Sequence, residues 1–241
     1  MPTDEPAPTL SLRERRRAAA TQEILDAAES QITEHGPTAL SLRAVARSLG
    51  MTVQALYHYF PSRDALITAL ITKAYDDLAD AVQAAVDTAP DGSDTPRLVT
   101  AAEGYRRWAI DHPELFQLLY GTPLRHYEAP LDGPTTLAMV RMGTIFEREL
   151  FAGFTEPQLA AADAATSHPD GLPPAGTGAL PPPATALLMS AWGHMHGLVI
   201  LEVFGHTAFL GAHQAGIFHM AMRNLLQDVH GRIPAVGDVP D

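Results

Sequence analysis

The sequence predicts an all-α protein, in which a small N-terminal helix-turn-helix domain of three helices precedes a larger helical domain. Apolar residues recur at helical spacing along most of its 241 residues, and no segment shows the alternation that marks a strand. Glycines and prolines fall between these apolar segments, where they end helices. The chain has no cysteine, which excludes disulfides, thiolate metal sites and a cysteine nucleophile.

Four helices are expected in the first third of the chain, and each has a recognisable start or stop. The Gly-Pro pair at 36–37 ends the first helix, because proline cannot continue it. Ser41, Thr52 and Ser62 are expected to cap the next three helices, and Gly50 to end the second in a left-handed conformation. The predicted helices are Leu12–His35, a short one between Ser41 and Gly50, Val53–Phe60, and Arg63 to about Val86.

The rest of the chain is expected to hold six helical segments separated by loops. Pro90–Pro96 consists of turn-forming residues, and Gly121–Pro134 contains three prolines. Ser167–Pro183 contains six prolines and three glycines and is predicted to be a flexible loop without regular structure. The predicted helical segments are Leu98–His112, Glu114–Tyr120, Thr135–Phe154, Glu156–Ala165, Ala184–Phe204 and Gly211–Val229.

Two domains between disordered tails follow from this pattern. Residues 11–65 are expected to form the helix-turn-helix domain and residues 66–234 the larger domain, with the loop at 167–183 inside it and tails at 1–10 and 235–241. The stretch MPTDEPAPTL lacks the apolar core of a signal peptide. No apolar run is expected to approach the roughly 20 residues that span a bilayer. We therefore expect a soluble, cytoplasmic protein without a membrane contact.

The net charge of −12 is unevenly distributed between the two domains. Residues 11–65 carry seven arginines and six acids, whereas residues 66–241 carry nine basic and 20 acidic side chains. The N-terminal domain is thus the part of the chain whose field does not repel phosphates. Its arginine cluster is compatible either with a nucleic-acid contact or with a solvated helix end. The cluster consists of Arg13, Arg15, Arg16 and Arg17.

The segment from Ser41 to Phe60 has the spacing of a helix-turn-helix. A helix, a tight turn at Gly50 and a second helix capped by Thr52 follow one another, and in this motif the second helix enters the major groove of DNA. The start of that helix offers free backbone N–H groups and a positive dipole end to a phosphate. Gln54 and His58 can reach base edges. An ordinary helical hairpin with no DNA contact would have the same spacing.

The residues ALYHYFPSRDAL, 55–66, resemble the signature of TetR-type regulators, and the resemblance extends over about residues 20–68. It implies that Thr52, Tyr57 and Arg63 contact DNA phosphates. It also implies that four further residues approach the bases: Arg43, Gln54, Ala55 and His58. Lysine is usual in the family at the position of Arg63, and the guanidinium keeps the charge needed for a phosphate contact. Small or basic residues are frequent at Val53 and Gln54, which leaves the base preference open.

Tyr57 and Tyr59 are two residues apart and cannot share one face of a helix. We expect Tyr57 to face a phosphate and Tyr59 to be mostly buried. The resemblance assigns Tyr59 and Phe60 to anchoring the second helix of the motif. Both tyrosines could instead belong to the core of a small bundle.

In the second half, LYGTP at 119–123 and WGHMHGL at 192–198 resemble a TetR-type subset with a tryptophan–histidine–glycine motif. The resemblance implies an internal cavity for a ligand and a dimer interface made by the last two long helices. The candidate ligand residues are Trp108, His112, Phe116, Met139, Met142, Phe146, Trp192 and His196. The candidate interface residues are Leu198, Leu201, Phe204, Phe218, Met222 and Leu225. Simple core packing is the alternative for each of these residues.

The function expected from these features is that of a repressor. It would bind palindromic double-stranded operator DNA as a homodimer and be released by a small, largely apolar or aromatic effector, without a cofactor or metal. An enzyme is the first alternative, but no phosphate loop or nucleophile elbow is present. His194 and His196 are a weak metal signal, because residues two apart on a helix point to different faces. The second alternative is a regulator whose larger domain only dimerises or binds another protein.

Overall fold

The computed structural model describes residues 11–90, 92–121, 127–130, 132–163, 180–235 and 237, and these ranges contain helices and turns but no strand. The predicted all-α fold is confirmed. The α-helices are α1 (Leu12–His35), α2 (Leu42–Ser48), α3 (Val53–Tyr57), α4 (Arg63–Asp87), α5 (Arg97–Asp111), α6 (Pro113–Tyr120), α7 (Pro134–Leu150), α8 (Glu156–Ala160), α9 (Pro182–Val203) and α10 (Gln214–Gly231). Two 3₁₀ turns are found at Pro37–Ala39 and Ala208–His213. The predicted flexible loop up to residue 179 and the predicted tail at 1–10 lie outside the described residues.

The first three α-helices pack together as a helix-turn-helix domain. Ile24, Ile32, Val45 and Leu56 are buried there and belong to the hydrophobic core that continues into the rest of the chain. Gly50 makes the turn between α2 and α3 with a φ of 65°, which glycine adopts without a Cβ clash. The predicted end of the second helix at this glycine is confirmed.

Two of the three predicted N-terminal caps are present. Thr52 Oγ1 accepts a hydrogen bond from the backbone N–H of Ala55 at 3.1 Å, and Ser62 caps α4 in the same way. Ser41 stands at the N-cap of α2, but its side chain makes no capping bond. Its backbone N–H donates instead to Gln31 Oε1 of α1. The start of α2 is therefore where the sequence predicts it, while the predicted side-chain cap is wrong.

The helix α3 ends at Tyr57, three residues earlier than predicted. The backbone N–H groups of His58 and Tyr59 bond to carbonyl oxygens three residues back, which tightens the chain beyond an α-helical turn. Pro61 then disfavours helical backbone at Phe60, because its ring clashes with the residue before it.

Four boundaries in the C-terminal part also differ from the prediction, among them the end of α8 at Ala160 rather than Ala165. The helix α7 ends at Leu150 rather than Phe154. The helix α9 already begins at Pro182, so the last two prolines of the predicted loop lie in its first turn, which tolerates a missing N–H. The helix α10 begins at Gln214, because Gly211 interrupts helical geometry with a φ of 53°.

The helix α4 connects the two parts of the molecule. It has 25 residues and a length of about 37 Å at the usual rise per residue. It packs against α1, α5, α6 and α7, and its buried residues run from Leu66 to Val86. Lys73 Nζ donates to Glu29 Oε2 of α1 at 2.8 Å and to Asp77 Oδ2 of α4 at 2.7 Å. This ion pair joins α4 to the helix-turn-helix domain.

The helices α5, α7, α9 and α10 form the larger part of the structure together with α4. Arg97 of α5 donates to Glu149 of α7 at 2.9 Å, and Arg106 of α5 pairs with Glu202 of α9 through two of its guanidinium nitrogens. Burial raises the pKa of Glu149, but hydrogen bonds from Arg97 and Arg148 outweigh that effect and lower it. Polar contacts thus fix the helices around an apolar centre.

The helix α9 is apolar over most of its surface. Among the described residues it is the one helix whose length and composition would let it cross a membrane, so the expectation that no apolar run reaches this length is corrected. Ala184, Leu187, Met195 and Val199 nevertheless face the core of the chain. One side of α9 therefore serves the packing of the bundle, and its other side carries exposed apolar residues.

Candidate nucleic-acid interface and ligand pocket

The short helix α3 presents predicted DNA contacts to solvent. Thr52, Gln54, Tyr57 and His58 are exposed, and 41% of the Tyr57 surface is accessible. Ala55 is half-buried. Because the Thr52 oxygen accepts the capping bond, its hydroxyl hydrogen remains free to donate to an anion. These side chains are accessible for the contacts that the sequence predicts.

Arginines from the neighbouring helices accompany this face. Arg43 is exposed in the first turn of α2, which packs against α3. Arg63 is half-buried in the first turn of α4. The two positive side chains therefore come from both helices that adjoin α3 along the chain.

Arg17 is a further residue at this face that the predicted contact set omits. One of its terminal nitrogens donates to the His58 carbonyl oxygen at 3.1 Å, and its guanidinium lies 5.5 Å from the centroid of the Tyr59 ring. Tyr59 is half-buried, in contrast to the exposed Tyr57. The arginine cluster in the sequence was the signal for this position, but only the fold shows that α1 reaches the end of α3.

A pocket of about 250 Å³ lies between α6, α7 and α9. Its walls are aliphatic, aromatic and methionine side chains, with two polar groups among them. The lining residues are Tyr120, Met139, Val140, Met142, Gly143, Phe146, Glu147, Leu188, Met189 and Trp192. We call this cavity the α6–α7–α9 pocket.

The pocket contains half of the predicted ligand residues. Met139, Met142, Phe146 and Trp192 line it. Phe116 and His196 lie behind the wall, where they pack against the Tyr120 ring at 5.1 and 4.5 Å between centroids.

Trp108 and His112 belong elsewhere, and their assignment to the pocket is corrected. Their rings stack on each other at 5.1 Å, and His112 Nδ1 bonds to the Trp108 carbonyl oxygen. His112 directly follows the end of α5, four residues after Trp108, so this is a local contact.

His196 is held by an aromatic cluster rather than by a metal. Its Nδ1 bonds to Tyr105 Oη at 2.7 Å, and its ring stacks on Trp192 with an angle of 11° between the planes. Burial lowers the pKa of His196, so the ring is neutral at physiological pH. His194 is exposed on another side of α9.

The pocket contains two buried polar atoms, one on Tyr120 and one on Glu147. Tyr120 Oη and Glu147 Oε2 are buried without a hydrogen-bond partner among the described residues. Burial raises the pKa of both groups. For Tyr120 the Tyr105 and Tyr75 phenols raise the pKa further, because their hydroxyls approach Tyr120 Oη, although neither makes a hydrogen bond of good geometry with it. The sequence contains no signal for this pair, because the two residues lie on different helices and line one pocket only in the folded chain.

The predicted interface residues divide between the core and the surface. Phe218, Met222 and Leu225 are buried within their own chain, so they offer no surface to a partner and their assignment is corrected. Leu198 is half-buried. Leu201 and Phe204 are each 42% exposed.

Further apolar residues accompany Leu201 and Phe204 on the surface. Phe209 is 84% exposed in the second 3₁₀ turn, and Met220 and Ile217 are exposed on α10. Exposed apolar residues therefore follow one another along the chain from the end of α9 through this turn to the first half of α10. We call these five residues the α9–α10 surface.

Two family models match the chain and together cover both parts of the structure. The model of bacterial regulatory proteins of the tetR family matches residues 24–70, and the tetracyclin repressor-like C-terminal domain matches residues 98–225. The first match contains the second half of α1, all of α2 and α3 and the start of α4, but not Arg17. The second match contains the residues that line the pocket.

Relatives and solved structures agree with these matches. The HTH-type transcriptional regulators Rv1816 of Mycobacterium tuberculosis and Mb1846 of Mycobacterium bovis are 40% identical over 136 residues, which is 55% of this chain and 58% of each relative. The crystal structure of the regulatory protein SCO4313 is 34% identical, with a TM-score of 0.68 over 90% of this chain and 100% of that one. A TetR variant from Acinetobacter baumannii AYE in complex with minocycline, at 16% identity and a TM-score of 0.53 over 94% and 100% of the two chains, shares the fold. With its helix-turn-helix, its helical C-terminal part and these relatives, the chain belongs to the TetR family of bacterial transcriptional regulators.

Proposed function

We propose that the protein is a repressor that binds palindromic operator DNA as a homodimer and releases it when a small, largely apolar ligand enters the α6–α7–α9 pocket. The observation that carries the DNA part is the exposed face of α3 between the arginines of α2 and α4. Thr52, Tyr57 and Arg63 supply donors for phosphates, which position the protein without reading sequence. Gln54 and His58 have the hydrogen-bonding groups to read base edges.

The proposed homodimer uses the α9–α10 surface. Five large apolar side chains lie exposed there, and Phe209 has almost no contact with its own chain. Exposed apolar patches of this kind mark protein interfaces. A two-fold dimer also places two copies of α3 for half-sites about 34–36 Å apart, or near that spacing plus extra helical turns.

The proposed effector site is supported by the chemistry of the pocket. Its walls are apolar, and methionines adapt their shape to different ligands. The pocket also favours an effector-binding regulator over one that only dimerises. A helical bundle that binds no ligand gains no stability from a cavity, because interiors are otherwise closely packed. We therefore propose residues 66–234 as a ligand-binding and dimerisation domain of the tryptophan–histidine–glycine type, acting in the cytoplasm.

Selection of bound sites from a random pool of duplex DNA tests the whole proposal. The full-length protein is expected to select a palindrome with two half-sites. A second selection in the presence of a metabolite mixture is expected to lose those sites. Enrichment of a single, non-repeated half-site would contradict dimeric binding, and absence of any enriched sequence would contradict operator recognition. If the same sites are selected with and without the metabolite mixture, for many different fractions of that mixture, the result would favour a regulator without a ligand.

A further inference from the structure

The polar groups of the α6–α7–α9 pocket restrict what it can bind. The lining residues that the structure describes include one carboxylate, Glu147, and one phenol, Tyr120, but no lysine, arginine or histidine. Both Glu147 Oε2 and Tyr120 Oη are buried and lack a hydrogen-bond partner among the described residues. A buried acceptor without a donor costs free energy, and a ligand that supplies the donor recovers it.

The neighbouring cations are engaged outside the pocket. Arg141 pairs with Asp76 and Asp80 of α4. Arg148, the residue after Glu147, bonds to Glu149 at 2.8 Å and to Gln83 at 3.1 Å. Neither arginine of α7 lines the cavity. Within the described residues, the charge of Glu147 is therefore left for a ligand to compensate.

The aromatic walls favour the same kind of ligand. The Tyr120, Phe146 and Trp192 rings line the cavity, and a cation is attracted to the faces of such rings. An anion would instead meet Glu147 and, among the described lining residues, no positive side chain. The volume of about 250 Å³ leaves room for a bicyclic ring, since an apolar cavity of about 150 Å³ takes up benzene.

We propose that the α6–α7–α9 pocket selects a lipophilic amine, a largely apolar ligand that carries one positive charge, and that Glu147 and Tyr120 hold its ammonium group. Glu147 Oε2 accepts a charge-assisted hydrogen bond from the ammonium, and Tyr120 Oη accepts a second one. The methionines and aromatic rings enclose the hydrocarbon part. The inference rests on the proposed function in taking this pocket as the effector site, and it adds the charge of the effector.

Three probes that share one ring system test the charge preference directly. They are 1-naphthylmethylammonium, 1-naphthylmethanol and 1-naphthylacetate, which are positive, neutral and negative. Binding is measured by titration calorimetry on the full-length protein, with the fluorescence of Trp192 and Trp108 as a second signal. The wild type is expected to bind the cation at least about tenfold more tightly than the alcohol, and the acetate least tightly.

Variants then assign the preference to the two residues. In Glu147→Gln the cation is expected to lose about tenfold in affinity, while the alcohol changes by less than about twofold. Tyr120→Phe is expected to lose about threefold for the cation, because one neutral acceptor is removed. Glu23→Gln is the matched control. It removes one negative charge from an exposed site on α1 and is expected to leave all three affinities unchanged.

The outcomes separate this inference from the proposed function. Equal affinities for the three probes, a preference for the acetate, absence of binding by all three, or an unchanged preference in Glu147→Gln would each overturn the amine specificity. Binding of operator DNA by the same preparations is measured without any probe. A protein that binds operator but shows no charge preference loses only the inference about the ligand. A protein that binds no operator loses the proposed function, whatever its pocket selects.

Discussion

Replacement of Glu147 by methionine is expected to stabilise the unliganded protein, although it removes a charge that lies next to the ion pairs of Arg148 and Glu149 on α7. Glu147 Oε2 is buried without a partner among the described residues, and a buried acceptor in this condition costs about 1–3 kcal/mol. The side chain is only half-buried as a whole, so the lower end of this range, about 1 kcal/mol, applies. Methionine has a similar length and helix propensity. For a chain of this size, a gain of about 1 kcal/mol raises the Tm by about 2–4 °C.

The pH dependence of this gain has a defined sign. Burial raises the pKa of Glu147 in the folded protein, whereas the unfolded chain has the ordinary carboxyl pKa. The folded carboxyl therefore holds its proton over a range in which the unfolded one has lost it, and the wild type loses stability as the pH rises through that range. The advantage of Glu147→Met is expected to be full at pH 7 and to shrink as the pH falls into the ordinary carboxyl range.

Glu149 lies two residues further along α7 and provides a matched control, because removal of its charge is expected to destabilise the protein rather than stabilise it. Its side chain is 3% exposed, and hydrogen bonds from Arg97 and Arg148 lower its pKa despite burial. Both arginines are about half exposed, so solvent screens their interaction with Glu149. We therefore expect these contacts to contribute only about 1 kcal/mol to the free energy of unfolding. Glu149→Gln is expected to destabilise the protein at pH 7, and this loss disappears as the pH falls through the lowered pKa of the folded carboxyl.

Urea unfolding followed by circular dichroism between pH 4 and 7.5 measures both variants against the wild type. The m-value is compared in each case, so that a changed unfolded state is recognised. A lower free energy of unfolding for Glu147→Met at pH 7 would refute the reasoning. A gain that stays constant across the pH range would show that the carboxylate charge is not its source.

Four further outcomes are expected. Arg63→Ala weakens binding to every DNA sequence alike and lowers the salt slope by about one, measured by fluorescence anisotropy at several salt concentrations. Gln54→Ala and His58→Ala change the selected bases by about 1–3 kcal/mol per affected pair, and an unchanged motif in site selection would exclude them as base readers. Phe209→Asp is expected to be a folded monomer in light scattering. Phe218→Asp is expected to reduce the yield of folded protein, because the Phe218 side chain is buried. If Phe209→Asp remains a dimer, the interface lies elsewhere. In a reciprocal titration, the ligand lowers operator affinity and operator DNA lowers ligand affinity by the same factor, and equal ligand affinities with and without operator would contradict release by that ligand.

The sequence allowed the helical elements to be predicted well because their signals are local. Thr52 and Ser62 cap helices through bonds to residues three positions ahead, and such bonds follow from short-range spacing. Where the prediction of a cap or a helix end was wrong, a residue close in space or a competing local effect determined the structure. Gln31 of α1 binds the Ser41 backbone, and Pro61 prevents α3 from continuing to Phe60.

The two candidate sites differ in how much of each can be predicted from the sequence. The DNA-facing residues lie within one continuous motif, so their exposure follows from the arrangement of two short helices. The pocket combines α6, α7 and α9, and Glu147 has no sequence feature that distinguishes it from a solvated charge on a helix. Phe218 and Phe209 show the same limit for the interface, because apolar residues occur on both sides of the last helices and only packing separates buried from exposed ones.

The contacts of α4 explain how the proposed pocket and the DNA-binding face can influence each other. The Tyr120 ring, which lines the pocket, meets the Tyr75 ring of α4 edge-on with centroids 5.8 Å apart. Two residues earlier on α4, Lys73 is bonded to Glu29 of α1 at 2.8 Å. The helix α1 in turn supports the end of α3, since Arg17 donates to the His58 carbonyl.

These contacts form a continuous packed connection, but contact alone does not produce regulation. A ligand changes operator affinity only when it binds the DNA-bound and DNA-free arrangements with different affinity, and a coupling of about 1–3 kcal/mol corresponds to a change of about 5–150-fold. An ammonium group drawn between Glu147 of α7 and Tyr120 of α6 would act on two helices that both pack against α4. Displacement of Tyr120 then changes its contact with Tyr75 on the same helix that Lys73 joins to α1. With the proposed amine, the charge of the ligand would therefore matter for release as well as for affinity, because it would determine which two helices the ligand pulls together.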